Sequence, residues 1–194
     1  HLNELGVEAN DNVAFLVERS ELYIFSILSI LSVGATYVPL DDALPDKRIQ
    51  FMIDDTDAKV IIVCNETHNR AKNLSKEIKL LNISNLIKEY VGTLSNLDVV
   101  YGDLACILYT SGSTGVPKGV KITRKSLINV CEDYIAKYGL NCDDVYALFS
   151  TIGFDMSSFV ITVVMCVGAC LAVIPENLRF NMLGLNDYFV SHNV

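Results

Sequence analysis

A run of glycines, hydroxyl side chains and one lysine follows an apolar segment in the middle of the chain. Glycine lets the backbone approach a ligand closely, so successive N–H groups can point at anionic oxygens. Hydroxyl groups add further donors, and a lysine ammonium adds a point charge. These residue types predict a loop that holds a polyphosphate. The candidate phosphate-binding residues are Thr110, Ser111, Gly112, Ser113, Thr114, Gly115, Lys118 and Gly119.

This loop departs from the Walker A sequence, which requires a Gly-Lys pair followed by serine or threonine. Lys118 instead follows Pro117 and precedes Gly119. An ordinary surface turn is the alternative interpretation. A turn needs one or two residues of this kind, whereas here they form a continuous run after a strand-like segment. The length of the run favours phosphate binding.

Composition and charge exclude several classes of protein. The chain has 194 residues, of which 51% are hydrophobic and 20% are charged, so it is long and apolar enough to bury a sizeable core. Its net charge of −8 argues against a nucleic acid partner, because phosphate backbones require basic surface. We also expect no membrane partner. The longest apolar run, 159–174, is shorter than the roughly 20 residues of a membrane span and predicts a helix followed by a buried strand.

Cysteine and histidine usage predicts neither a metal site nor a catalytic histidine. The six cysteines, at 64, 106, 131, 142, 166 and 170, lack paired short spacings. They are most simply small buried hydrophobes of a reducing compartment, which predicts a cytoplasmic protein. The three histidines, at 1, 68 and 192, are scattered along the chain.

Apolar strand-like runs alternate with helical patterns, which predicts an α/β fold with parallel sheet layers covered by helices. The polar stretch 84–101 predicts a linker or edge segment. We therefore expect a first α/β part over 1–83, a connecting segment over 84–103, and a phosphate-loop part over 104–194. Neither end resembles a domain boundary, so we expect a piece of a longer protein. Predicted strands cover 13–17, 35–40, 59–63, 80–83, 104–109, 145–149 and 169–174; predicted helices cover 21–33, a short segment from 45, 67–79, 126–138, 156–167 and 183–191.

The stretch from Tyr109 to Val120 closely resembles the phosphate loop of the adenylate-forming enzymes. That superfamily joins acyl-CoA synthetases, luciferases and the adenylation domains of nonribosomal peptide synthetases. The segment from Leu31 to Asp55 resembles a second signature, in the version typical of the peptide synthetases, and we assign it a packing role. The resemblance implies a fragment of the large N-terminal domain of an adenylate-forming enzyme.

The segment Gly153–Phe159 resembles the start of the amino-acid pocket in peptide synthetase adenylation domains. The resemblance implies substrate-binding roles for Phe154, Asp155, Met156 and Phe159. Asp155 would pair with the α-ammonium group, and Met156 and Phe159 would line a pocket for a small or medium apolar side chain. Residue chemistry alone favours a helix cap for Asp155, and the two roles are compatible. Met156 and Phe159 fit a helix core equally well.

The chain also departs from the family pattern. Val160 stands where the family usually carries glutamate, and Arg124 stands where many members have histidine. The ribose- and adenine-binding motifs, the magnesium-binding acid, the catalytic lysine and the carrier serine motif are all missing. We therefore assign no catalytic residue in this chain and expect it to be inactive alone.

The leading hypothesis is that the parent protein activates an amino acid with ATP and Mg²⁺ in nonribosomal peptide synthesis. Aminoacyl-AMP and pyrophosphate would form, and the activated residue would pass to phosphopantetheine on a carrier-protein domain of the parent or of a partner synthetase. One alternative is an acyl- or aryl-CoA ligase, which Asp155 disfavours because a carboxylate repels an anionic substrate lacking an ammonium group. Another is a noncatalytic nucleotide-binding module.

Overall fold

The computed structural model describes residues 1–89, 101–111 and 116–194. Within them, six strands form one sheet in the order β4-β3-β1-β2-β5-β6. All neighbouring pairs are parallel except β5 and β6, which form an antiparallel hairpin. The six strands are β1 Asn12–Leu16, β2 Thr36–Pro39, β3 Val60–Val63, β4 Lys79–Asn82, β5 Leu104–Thr110 and β6 Lys118–Thr123.

Two further strands, β7 Val145–Leu148 and β8 Cys170–Val173, pair in parallel as a separate small sheet. Helices connect β1 to β2, β2 to β3, β3 to β4 and β7 to β8, as parallel strands require. A short 3₁₀ turn at Glu176–Leu178 follows β8. The helices are α1 Leu22–Ser32, α2 Asp46–Thr56, α3 Asn65–Leu74, α4 Ile83–Glu89, α5 Arg124–Tyr138, α6 Asp155–Val167 and α7 Met182–His192.

Successive side chains of the central strands point to opposite faces of the large sheet, and each face carries a buried core. Val13 and Phe15 of β1 pack in one cluster, which also contains side chains of α1 and α6. Ala14 and Leu16 point the other way, into a second cluster with side chains of α2 and α3. Both faces of the sheet are therefore covered, and every residue of β2 and β3 is buried.

The predicted fold class is confirmed, and the predicted strands correspond to β1–β5, β7 and β8. The sequence prediction missed β6. It also extended α3 too far, because the helix ends at Leu74 and Ser75 is extended (φ −141°). Helix α4 occupies the start of the predicted linker or edge segment, whose residues 90–100 lie outside the described part. β5 lies beside β2, so the first and last predicted parts share one sheet.

The prediction that all the cysteines are buried is wrong for three of them. Cys64, Cys106 and Cys131 are buried, whereas the other three are exposed. Cys142 lies in the turn before β7, Cys166 faces away from the buried side of α6, and Cys170 begins the small sheet. These elements pack on one side only, so a cysteine on the other side meets solvent.

The described ranges contain no helix that is both long and apolar enough to cross a membrane. The run 159–174 divides into the end of α6 and strand β8, as predicted. In the same ranges, no group of three or more His, Cys, Asp or Glu side chains is arranged to hold a metal ion.

Candidate functional site

A cleft of about 610 Å³ lies at the carboxyl edge of the parallel strands, where open α/β sheets bind ligands. It is bounded by the end of β2, one side of α2, the β5–β6 hairpin and the start of α6. Its walls combine apolar groups with three charged and several hydroxyl-bearing side chains. The lining residues are Pro39, Asp41, Leu44, Arg48, Met52, Leu108, Tyr109, Thr110, Ser111, Val120, Ile122, Thr151, Gly153, Phe154 and Asp155.

The candidate phosphate loop connects β5 to β6. Thr110 and Lys118 face each other as the last pair of the hairpin, and both are exposed. Thr110 and Ser111 line the cleft, while Lys118 is not among its lining residues. The predicted contacts of Gly112, Ser113, Thr114 and Gly115 fall outside the described residues. The hairpin therefore brings the beginning of the loop to the cleft.

Gly119 lies inside β6, opposite Tyr109. A Cβ atom at this position would lie 3.0 Å from Ile107 Cγ2 and 3.2 Å from Tyr109 Cζ, so the absence of a side chain makes room for the tyrosine ring. The Tyr109 hydroxyl donates a 2.6 Å hydrogen bond to Asp55 Oδ2. Burial, together with the Asp55 carboxylate, raises the pKa of Tyr109. This geometry gives Gly119 a packing role, and its predicted phosphate contact stays a prediction.

We expect Gly119→Ala to destabilise the fold by about 1–3 kcal/mol, because overpacking moves side chains that are already in contact. Tyr109 has little freedom to yield, since Asp55 holds its hydroxyl group. Chemical denaturation of the purified protein measures the change. Gly153→Ala is the matched control, because a Cβ atom there meets nothing within 4 Å. Equal stability of the two variants would contradict the packing role.

Helix α6 begins at the cleft with Asp155, directly after the extended cap residue Phe154. Asp155 Oδ1 accepts a 2.7 Å hydrogen bond from the Met156 N–H group, and its negative charge suits a helix N-terminus. Ser157 is fully buried and donates to the carbonyls of Ile152 and Phe154, at 3.0 and 2.6 Å. The turn before α6 is thereby fixed, and Asp155 remains exposed at the cleft.

The other predicted pocket residues lie in different surroundings. Phe154 lines the cleft and is 65% exposed. Met156 is exposed but is not among the lining residues. Phe159 packs edge-on against Tyr134 of α5, with ring centroids 5.0 Å apart. The structure thus brings Phe154 and Asp155 to the cleft and places Phe159 between two helices.

Arg19 joins the small sheet to the large one, a role that the sequence did not predict. Its side chain is only 6% exposed and donates to three backbone carbonyls. Nε bonds Ile174 O at 2.6 Å, Nη1 bonds Ser150 O at 2.9 Å, and Nη2 bonds Leu148 O. Burial lowers the pKa of Arg19. Because Leu148 and Ser150 lie at the start of the segment that leads to α6, Arg19 positions the wall that carries Asp155.

Two other arginines hold backbone segments in the same way, Arg70 beside the cleft and Arg124 at the opposite edge of the large sheet. Arg70 donates to the carbonyls of Asp42 and Leu44, which follow β2. Arg124 donates to Leu31 O and Ala35 O, both at 3.0 Å, and thereby joins the start of α5 to the end of α1. Desolvation by burial lowers the pKa of Arg124. The Arg124 position is therefore a packing position in this chain.

Comparisons with known proteins agree with this architecture. The sequence matches the family described as AMP-binding enzyme over residues 1–194. It is 33% identical to bacitracin synthase 1 of Bacillus licheniformis over 196 aligned positions, which cover 100% of the chain and 4% of the synthase.

Solved structures give the same result. Holo-AB3403, a four-domain nonribosomal peptide synthetase bound to AMP and glycine, matches 97% of the chain with 27% identity and a TM-score of 0.82. The N-terminal subdomain of Klebsiella oxytoca NpsA, in complex with 3-hydroxybenzoyl-AMSN, matches 100% of the chain with 29% identity and a TM-score of 0.81. The chain spans 14% of the first protein and 48% of the second.

Proposed function

Because the chain belongs to the AMP-binding enzyme family of adenylate-forming enzymes, we propose that it is part of an amino-acid-activating adenylation domain. The parent protein would join an amino-acid carboxylate to ATP. A carboxylate oxygen attacks the α-phosphorus, an O–P bond forms, and the bond to the β-phosphate oxygen breaks to release pyrophosphate. The products are aminoacyl-AMP and pyrophosphate.

One observation carries this proposal: Thr110, Ser111 and Asp155 line the same cleft although they lie far apart in sequence. The hydroxyl groups suit a phosphate, and the carboxylate suits an ammonium group. A site that holds both partners in one orientation removes much of the entropic barrier to reaction. The apolar wall of Leu108, Val120 and Ile122 adds a surface for the less polar parts of the reactants.

The proposed reaction also requires Mg²⁺ and a carrier domain. We propose that Mg²⁺ binds together with the phosphate oxygens of ATP, whose charge it would neutralise. The activated residue would then pass to a phosphopantetheine thiol on a carrier domain elsewhere in the parent protein. Relatives that are peptide synthetases support this step.

An acyl- or aryl-CoA ligase is the second candidate, and one comparison favours a substrate of that class. The NpsA subdomain was solved with a 3-hydroxybenzoyl group, which carries no α-ammonium group. The exposed Asp155 carboxylate favours an amino-acid substrate instead, because an aryl or fatty acid offers no ammonium group to pair with it. The fold itself does not separate the two candidates.

Exchange of labelled pyrophosphate into ATP by the full-length protein tests the proposal. We expect exchange that depends on one or a few amino acids and is absent with fatty and aryl acids. Exchange with aryl or fatty acids alone would favour the second candidate. Exchange with no carboxylic acid, despite measurable ATP binding by calorimetry, would favour a noncatalytic nucleotide-binding module.

A further inference from the structure

Arg48 differs from the other arginines of the described chain because its side chain has no hydrogen-bond or ion-pair partner. Arg19, Arg70 and Arg124 donate to backbone carbonyls, and Arg179 pairs with Glu176 at 2.8 Å. The side chain of Arg48 makes no hydrogen bond or ion pair with any described residue, and its buried Nε atom is left unsatisfied. A buried donor without an acceptor is energetically unfavourable, so this group is suited to receive an acceptor from a ligand.

The place of Arg48 indicates which kind of ligand that is. It is the third residue of α2 and lines the cleft together with Thr110 and Ser111. Asp41 and Asp155 are the other charged residues of the described lining, so Arg48 is its one cation. The N-terminal turn of a helix also favours negative charge. A guanidinium group therefore lines the same cleft as the hydroxyl groups for which we propose phosphate binding.

We propose that Arg48 binds the β- and γ-phosphates of ATP and holds the pyrophosphate product, an assignment that rests on the proposed function. A guanidinium group matches phosphate oxygens with two parallel N–H donors and stays charged at any relevant pH. A substrate carboxylate has the same bidentate geometry but carries less negative charge. The hydroxyl groups on the same wall therefore favour the phosphates as the occupant.

Calorimetry with ATP and with inorganic pyrophosphate tests this assignment in the full-length protein, using Arg48→Gln and Arg48→Lys. Losing a charge-assisted hydrogen bond predicts roughly 10- to 100-fold weaker binding of both ligands to Arg48→Gln. Arg48→Lys keeps the charge and should recover part of the affinity. Lys47→Gln is the matched control, because it removes the same charge from the next residue of α2, which is exposed and lies outside the cleft lining.

Arg48→Gln breaks no hydrogen bond of the described fold, so its unfolding midpoint should match that of the Lys47→Gln control. Equal affinities of these two variants for pyrophosphate would overturn the assignment. A loss of affinity for the carboxylate substrate alone would also overturn it, because Arg48 would then bind that carboxylate. The binding measurements need no turnover, so they decide the role of Arg48 even if no amino acid supports exchange and the proposed function fails.

Discussion

Asp155→Asn is expected to lower amino-acid-dependent pyrophosphate exchange roughly 100-fold or more, and Asp155→Ala to abolish it. The asparagine variant keeps the size of the side chain but removes the charge that would face the α-ammonium group. In the proposed complex the bound substrate would cover Asp155, and truncating one partner of such a desolvated charge pair costs several kcal/mol because the other charge is left unpaired. The loss should appear in kcat/KM for the amino acid, with the affinity for ATP unchanged.

Asp187→Asn provides the control for this experiment. Asp187 is an exposed carboxylate of α7, outside the cleft lining, and the substitution changes the net charge equally. Unfolding curves should show that α6 survives both substitutions, since the described contact of the Asp155 side chain is one local hydrogen bond to Met156. Exchange by Asp155→Asn at the level of Asp187→Asn would rule out ammonium binding.

Arg19→Met is expected to lower the free energy of unfolding by about 3–5 kcal/mol, because three carbonyl groups each lose an N–H donor. Methionine fills much of the same space, so the loss reports the hydrogen bonds rather than a cavity. Arg19→Lys should be intermediate, since an ammonium group lacks the planar fork that reaches all three carbonyls. Denaturant unfolding of the purified protein measures both changes.

The same substitution also tests whether Arg19 positions the wall of the cleft. At temperatures where the variant stays folded, we expect Arg19→Lys to raise KM for the amino acid more than KM for ATP. The reason is that Arg19 holds the segment before Asp155 rather than the β5–β6 hairpin. Unchanged stability, or an equal rise in both KM values, would contradict this role.

Most of the fold was predictable because buried strands and amphipathic helices carry strong apolar patterns. Runs such as Val60–Val63 are buried at every position, as a central parallel strand requires. Strand β6 was missed for the opposite reason. Its residues are almost all exposed, and Lys118 and Gly119 belong to the glycine-rich pattern that indicated a loop. Its pairing with β5, rather than its composition, makes it a strand.

The cleft was predictable in part. Local motifs indicated Thr110, Ser111 and Asp155, and the structure brings all three to one cleft. Arg48 lies in the segment 31–55, for which the sequence predicts a packing role, and the role of Arg19 was not predicted. An arginine in a sequence does not reveal what lies opposite its guanidinium group. Arg19 reaches carbonyls more than 120 residues away. Contacts of that kind follow from tertiary packing alone.

Arg124 also determines how the contact between the end of α1 and the start of α5 responds to pH. A histidine, which the family resemblance predicts there, would gain or lose its proton near neutral pH. Arg124 keeps its charge across that range, even though burial lowers its pKa. Its hydrogen bonds to the Leu31 and Ala35 carbonyls should therefore persist equally in mildly acidic and neutral buffers.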